Sequence, residues 1–287
     1  MNARPDRRRD VAEAIFADEI GLQFGVYGEF RLWSAYQPIF APQGRTTLKA
    51  VAVEALIEPR RVATPVAPQV FFDSVAASDR LFVETMCRML HLCNYRNIAV
   101  DGLTLFFNYN PMINDHLGRA LAEIRLMTRH LGDFGLEPAM LVCEITEQAA
   151  DDRVLASLVR EMRRDDIRIA IDDFGTGHST EARIGQLSPD IVKIDGGWFA
   201  EFCRHAAAER FFRPLVSMLH DRGAKVLVEG IEQATHLRVA LDAGVDLLQG
   251  YHLARPALAG TIFNEQPLSI DALLGMDNKV VPLHQLR

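Results

Sequence analysis

Little in this 287-residue sequence supports a disulfide scaffold, a zinc site or a membrane anchor. Its four cysteines, Cys87, Cys93, Cys143 and Cys203, show no Cys-x-x-Cys spacing and sit mostly in apolar runs, the pattern of reduced core residues in a reducing compartment. No apolar run reaches the length that spans a bilayer. The N-terminus carries Arg4, Arg7, Arg8 and Arg9, but Glu13, Asp18 and Glu19 interrupt the apolar residues after them, so the apolar core of a signal peptide is missing and the expected location is cytoplasmic. An excess of positive charge is lacking too. The net charge of −7 offers no basic field for a nucleic-acid polymer and leaves any anionic ligand dependent on local cations or helix N-termini.

What is present is ordinary for a globular chain: 49% hydrophobic and 24% charged residues, enough to bury a sizeable core. Val11, Ile15, Phe16, Ile20 and Phe24 fall at roughly helical spacing, which predicts an amphipathic helix docked on the body or on a protein partner. Two strands are predicted next, Phe30 to Phe40 and Leu48 to Ile57, joined by a turn near Gly44 and able to pair antiparallel. A helix from Pro68 to Leu92 and a strand from Leu103 to Phe107 come after them. The alternation then repeats five times, with strands at Met140–Ile145, Ile167–Ile171, Ile191–Ile194, Lys225–Val228 and Leu247–Leu248. Such βα repetition implies a mainly parallel sheet, most simply an eight-stranded barrel, with an open doubly wound sheet as the alternative. No linker interrupts it. The expected organisation is an amphipathic helical extension over 1–28, one barrel over 29–265 and a tail over 266–287.

Polar residues recur at the C-terminal ends of these strands, where barrel enzymes carry their active sites. They are Glu54, Asn108, Glu144, Asp172 with Asp173, Lys193, Glu229 with Glu232, and Gln249. A single acid at a strand end is usually a solvated or capping residue; recurrence over seven successive strands favours a shared site. Asp172 and Asp173 come after a buried run and precede Phe174-Gly175-Thr176-Gly177. Adjacent carboxylates repel, and a divalent cation is a common remedy. An all-oxygen donor set suits magnesium or manganese rather than zinc or copper. Lys193 lies among aliphatic residues, where an ammonium needs a carboxylate partner. That partnership serves equally as a structural ion pair or as a device that holds a water or stabilises phosphate charge. Asp-Phe-Gly also occurs in kinases, but the other kinase motifs are missing.

Eight ordered pieces carry a resemblance: Tyr36-Gln37-Pro38-Ile39, Glu54-Ala55-Leu56, Asn108, Glu144-Ile145-Thr146-Glu147, Asp172 to Gly177, Lys193-Ile194-Asp195, Glu229-Gly230-Ile231-Glu232 and Gln249-Gly250-Tyr251. Together, from about Tyr36 to Pro256, they resemble the EAL family of cyclic di-GMP phosphodiesterases. The resemblance implies a modified TIM (β/α)8 barrel with one antiparallel strand, and hydrolysis of cyclic di-GMP to linear pGpG with Mg2+ or Mn2+, two ions in all. It implies Glu54, Asn108, Glu144, Asp172, Asp173 and Glu229 as metal ligands, and Lys193, Glu229 and Glu54 as the catalytic group. Gln37, Leu56, Glu232 and Gln249 are implied as substrate-pocket residues, and Glu147 as the acid that steadies the loop from Phe174 to Thr180. A homodimer is implied as well.

Two positions depart from the family pattern. Glu58 stands where an arginine is common, a charge reversal beside an anionic ligand, and Arg60 or Arg61 would have to replace it. His178 stands where an aromatic residue is usual. Glu58 and the N-terminal segment motivate a second reading, a catalytically weak or silent cyclic di-GMP receptor acting through a protein partner. A metal-dependent enolase-like barrel would explain the acids and lysine but not the ordered motifs. No Gly-Gly-Asp-Glu-Phe cyclase motif occurs, and no second domain is expected.

Overall fold

The computed structural model describes residues 10–98, 100–110, 117–145, 152–176, 181–205, 208–261 and 263–275. The helix predicted from Val11 to Phe24 is not formed. The chain makes a 3-10 turn at Val11–Ala14 and two antiparallel strands, β1 (Ile15–Ala17) and β2 (Gln23–Tyr27). Asp18 is the reason: its carboxylate accepts from the backbone N–H groups of Ile20 at 3.0 Å and Leu22 at 2.8 Å, while Gly21 takes φ +85°. That side-chain turn reverses the chain in the middle of the apolar pattern. Ile20, assigned to the buried stripe, ends at the hairpin tip and is 79% exposed.

Two long strands, β3 (Phe30–Gln43) and β4 (Thr47–Arg61), form the expected antiparallel hairpin, and a short β5 (Thr64–Pro65) pairs back on β4. The single predicted helix from Pro68 to Leu92 is two, α1 (Pro68–Ser74) and α2 (Arg80–Tyr95), because Val75 and Ala76 adopt extended and non-helical backbone angles between them. The repeating part then runs β6 (Thr104–Tyr109), α3 (Leu117–His130), β7 (Leu141–Ile145), α4 (Asp152–Arg164), β8 (Arg168–Phe174), α5 (Glu181–Leu187) and β9 (Ile191–Ile194). It continues through α6 (Gly196–Cys203), α7 (Ala208–Asp221), β10 (Lys225–Val228), α8 (Ala234–Ala243) and β11 (Leu247–Leu248).

Strand order is β3-β11-β10-β9-β8-β7-β6-β4, and the β3–β4 pairing closes the ring. Every pairing between successive barrel strands is parallel except the two made by β3. This is the eight-stranded barrel with one antiparallel strand. The open-sheet alternative is excluded.

Side-chain alternation divides each strand between two cores. One set, Ile39, Ala52, Phe106, Val142, Ala170, Ile191, Leu227 and Leu247, forms a buried cluster in the barrel interior. The other set packs outward with the helices in the largest cluster. Each fully buried aliphatic or aromatic side chain contributes roughly 1.5–3 kcal/mol, so the plug fixes the strands that carry the site. Beyond β11, β12 (Ala257–Leu258) pairs with β3, and within the segment expected to be a tail β13 (Leu268–Ser269) pairs with β4 and α9 (Ile270–Leu273) buries Ile270. Among the described residues no helix is long and apolar enough to cross a membrane.

Candidate active site

The barrel interior locates the site. Two residues beyond each plug residue, on the same face of the strand, stands a polar one. Ala52 leads to Glu54, Phe106 to Asn108, Val142 to Glu144, Ala170 to Asp172, Ile191 to Lys193, Leu227 to Glu229 and Leu247 to Gln249. Antiparallel β3 reaches the same rim by counting backwards, from Ile39 to Gln37.

Lys193 is at the centre, only 1% exposed. Its Nζ lies 2.5 Å from Glu144 Oε1, 2.6 Å from Glu229 Oε1, 3.1 Å from Asp172 Oδ1 and 3.5 Å from Glu54 Oε1. Burial alone would strip its proton, but Glu144, Glu229, Glu54 and Asp172 outweigh burial and hold the ammonium well above the ordinary lysine range. Four carboxylates facing one buried ammonium leave a formal charge of −3. The carboxylates respond accordingly. Desolvation, with Glu54 and Asp172 adding repulsion against the pull of Lys193, raises Glu144 well above its usual range. Desolvation likewise pushes Glu229 up to about 8, against the attraction of Lys193.

Around this cluster opens a cavity of about 450 Å3, lined by Gln37, Glu54, Asp172, Lys193, Glu229, Glu232 and Gln249 among others. Gln249 donates through Nε2 to Glu54 Oε2 at 2.8 Å, and Gln37 donates to the carbonyl of Ala254 at 3.2 Å. Glu144 sits in the floor, fully buried, and Asn108 on β6 stands in register beside it with its side chain exposed. Leu56, half-buried, lies two residues after Glu54 on the same face of β4. Asp173, next to Asp172, has φ +58°, and its backbone N–H donates to Asp172 Oδ1 at 3.1 Å. Glu147 and His178 lie outside the described residues.

Several contributors were given no role by the sequence, although Asp195 and Tyr251 stand in the quoted motifs. Asp195, Gly196, Gly197 and Tyr251 also line the cavity. Asp195 caps α6, accepting from the N–H of Trp198 at 2.7 Å, and α6 itself was missed because two glycines open it. Asp with an apolar turn three residues later was the available signal. Gly196 crosses Gly230 so closely that a Cβ on Gly196 would meet the Gly230 Cα at 2.8 Å. The arginines proposed to replace the missing family arginine are engaged elsewhere: Arg60 pairs with Glu58 at 2.6 Å and Arg61 with Glu29 at 2.9 Å.

The EAL domain family profile matches residues 28–256. The chain belongs to the EAL domain family. It is 30% identical over 189 residues to the probable cyclic di-GMP phosphodiesterase PdeA of Escherichia coli, covering 64% of this chain and 25% of that protein. This chain spans about a quarter of the length of the curated relatives it first matches. The barrel superposes with a TM-score of 0.69 on the Bacillus subtilis YkuI protein, solved with substrate c-di-GMP and calcium, at 24% identity and covering 85% of this chain and 59% of that one. The TM-score is 0.70 with Klebsiella pneumoniae BlrP1 in a manganese and cyclic di-GMP complex, at 23% identity over 83% of this chain and 59% of that chain. Both likenesses establish the EAL fold.

Divalent cations in such neighbours raise the question of fit. Glu144 is fully buried, its Oε1 met by the ammonium alone and its Oε2 without a hydrogen-bond donor among the described residues. An excess of carboxylates over the one ammonium and an all-oxygen donor set suit a hard divalent ion. Among the described residues the acids do not form a finished three-ligand cage, because they converge on the ammonium. The residues fit such an ion chemically, and binding one requires carboxylates to turn from Lys193 toward it.

Proposed function

We propose that this EAL domain is a divalent-metal-dependent phosphodiesterase that hydrolyses cyclic di-GMP to linear pGpG. One observation carries the reading: a buried excess of carboxylates around Lys193, opening into a cavity large enough for a nucleotide. The relatives named for this activity and the neighbours holding cyclic di-GMP support it. Glu54, Asn108, Glu144, Asp172, Asp173 and Glu229 would hold Mg2+ or Mn2+, two ions in our reading. Bound there, such ions neutralise phosphate charge and lower the pKa of a coordinated water.

A product with a 5′-phosphate requires that a water oxygen bond to phosphorus while the bond to O3′ breaks. One water proton must leave, and O3′ must gain one. Glu229, open to the cavity beside Lys193, is placed to accept the water proton. Lys193 keeps its proton, so it donates, orienting water or countering charge on the phosphate oxygens. Glu54 is held by Gln249 and faces Lys193, which aligns both for that step. Gln37, Glu232 and Gln249 line the cavity and would receive the sugar, base and phosphate, with Leu56 beside them on β4.

The assay is direct. Purified protein with Mn2+ or Mg2+ should convert cyclic di-GMP to pGpG, and Asp172→Asn should abolish turnover with the fold intact. No product with either ion at any pH from 6 to 9 would refute the proposal. The engagement of Arg60 by Glu58 favours a second reading, a silent receptor, since it withholds a cation from the wall of the site. Calorimetry showing cyclic di-GMP binding without hydrolysis would establish it. Cytoplasmic residence, a homodimer and a protein partner reached through residues 1–28 belong to the same proposal, with a β-hairpin replacing the helix first expected there.

A further inference from the structure

Asp172 and Asp173 end a strand, and what orients them is the turn beyond. Asp173 is left-handed at φ +58°, and Thr176 returns to the Asp173 carbonyl through its N–H at 3.3 Å and its hydroxyl at 3.0 Å. Between them Gly175 takes φ +113°. A Cβ there would lie 2.7 Å from Cγ and 2.8 Å from Cδ2 of Trp198, so the indole face lies flat against the glycine Cα. Only glycine tolerates both the angle and the contact.

Trp198 is itself anchored. Its ring stacks on Phe202 with centroids 5.0 Å apart and planes 15° apart, and Phe202 packs on Phe212 at 5.7 Å. The backbone N–H of Trp198 donates to the Asp195 carboxylate, and the backbone N–H of Asp195 donates in turn to the carbonyl of Phe174 at 3.1 Å. The glycine crossing of Gly196 and Gly230 locks the start of α6 against the strand end that carries Glu229. The indole is therefore a post standing on the same short helix that Lys193 leads into, and the acidic turn rests on it.

We propose that Trp198 is a positioning residue that, through Gly175, sets the Asp172–Asp173 turn for divalent-ion binding. The inference rests on the phosphodiesterase reading, but its test uses the metal alone. Residues that orient ligands from behind typically govern metal affinity by 10- to 100-fold. The chain has two tryptophans, Trp33 and Trp198, so a Trp33→Phe background leaves Trp198 as the sole indole reporter.

In that background, Mn2+ titration of the full chain should change Trp198 emission. By calorimetry Trp198→Ala should weaken Mn2+ binding roughly 10-fold or more, and Trp198→Phe should restore most of it. With cyclic di-GMP, kcat should fall in Trp198→Ala more than KM rises. Gly175→Ala should weaken Mn2+ binding at least as much as Trp198→Ala, since it adds a strained backbone angle to the lost contact, and the double variant should be no worse than Gly175→Ala alone. Folding is checked by far-UV circular dichroism, and the conservative Trp198→Phe keeps the core filled. Unchanged Mn2+ affinity in folded Trp198→Ala, or additive losses in the double variant, would overturn the inference while leaving the proposed activity standing. No Mn2+ binding by the unmodified chain would overturn both.

Discussion

Glu144 has no exposed surface, and the ammonium that meets it is shared with three other carboxylates. Removing one acid from such a group does not strand the lysine. It removes the most heavily desolvated charge, whose pKa burial drives upward. Glu144→Gln should therefore stabilise the ion-free protein by about 1 kcal/mol or more at pH 8, while abolishing turnover. Urea midpoints with EDTA measure the first effect, and a lower midpoint than the unmodified chain would contradict it. This exchange of stability for function is what a site loaded with carboxylates should show. The acids were legible in the sequence because each stands two residues beyond a buried aliphatic or aromatic residue, a period that strand geometry imposes. The capping role of Asp195, a residue quoted within a motif, was not legible, since it depends on a helix that the two glycines after it conceal. Nor could spacing reveal that Arg60 is tied to Glu58.

Elements meet the site at the glycine crossing between α6 and the end of β10. Gly230 has φ +62°, and a Cβ there would approach the Gly196 Cα at 2.7 Å. Gly230→Ala must therefore accept an unfavourable backbone angle and also push apart the segments that carry Lys193 and Glu229. The expected cost is about 1–3 kcal/mol from overpacking, with kcat falling far more than stability alone explains. Gly244→Ala is the matched control: it too has positive φ, +83°, but nothing lies within 4 Å of its Cβ. It should cost about 1 kcal/mol and leave kcat unchanged. Thermal melts paired with turnover separate the two, and equal effects on kcat would show that the crossing plays no part. At this scale the sequence was readable where one period ran uninterrupted, as at β9 and β10, whose predicted limits match the structure. It misled at residues 11–24, where apolar residues on two short strands mimic a helical stripe once the turn at Asp18 is overlooked.

For the whole molecule, two buried groups of opposite sign shape stability against pH. His91, desolvated behind β3 with Arg88 nearby, is lowered from 6.5 to about 3, and its Nδ1 lies 3.0 Å from Ser34 Oγ. The unfolded chain binds that proton more readily, so His91 makes the fold lose stability as pH falls from about 6.5 toward 3. Glu229 is raised from 4.5 to about 8, chiefly by desolvation. Here the folded state holds the proton longer, so stability is full below 4.5 and lost as pH rises toward 8. Between 4.5 and 6.5 the rising slope of His91 is opposed by the falling slopes of Glu229 and Glu144, and above 6.5 only those of the acids remain. Each group contributes at most ~1.4 kcal/mol per pH unit. The ion-free protein should therefore be most stable near pH 5 and weaken progressively toward pH 8. Saturating Mn2+ should cancel that decline, because an ion that holds the carboxylates ionised binds the folded state alone and adds ~2.7 kcal/mol at a hundredfold excess over Kd. Urea unfolding from pH 5 to 9, with EDTA and with Mn2+, draws both curves. Identical alkaline limbs would mean that the carboxylate cluster does not bind the ion.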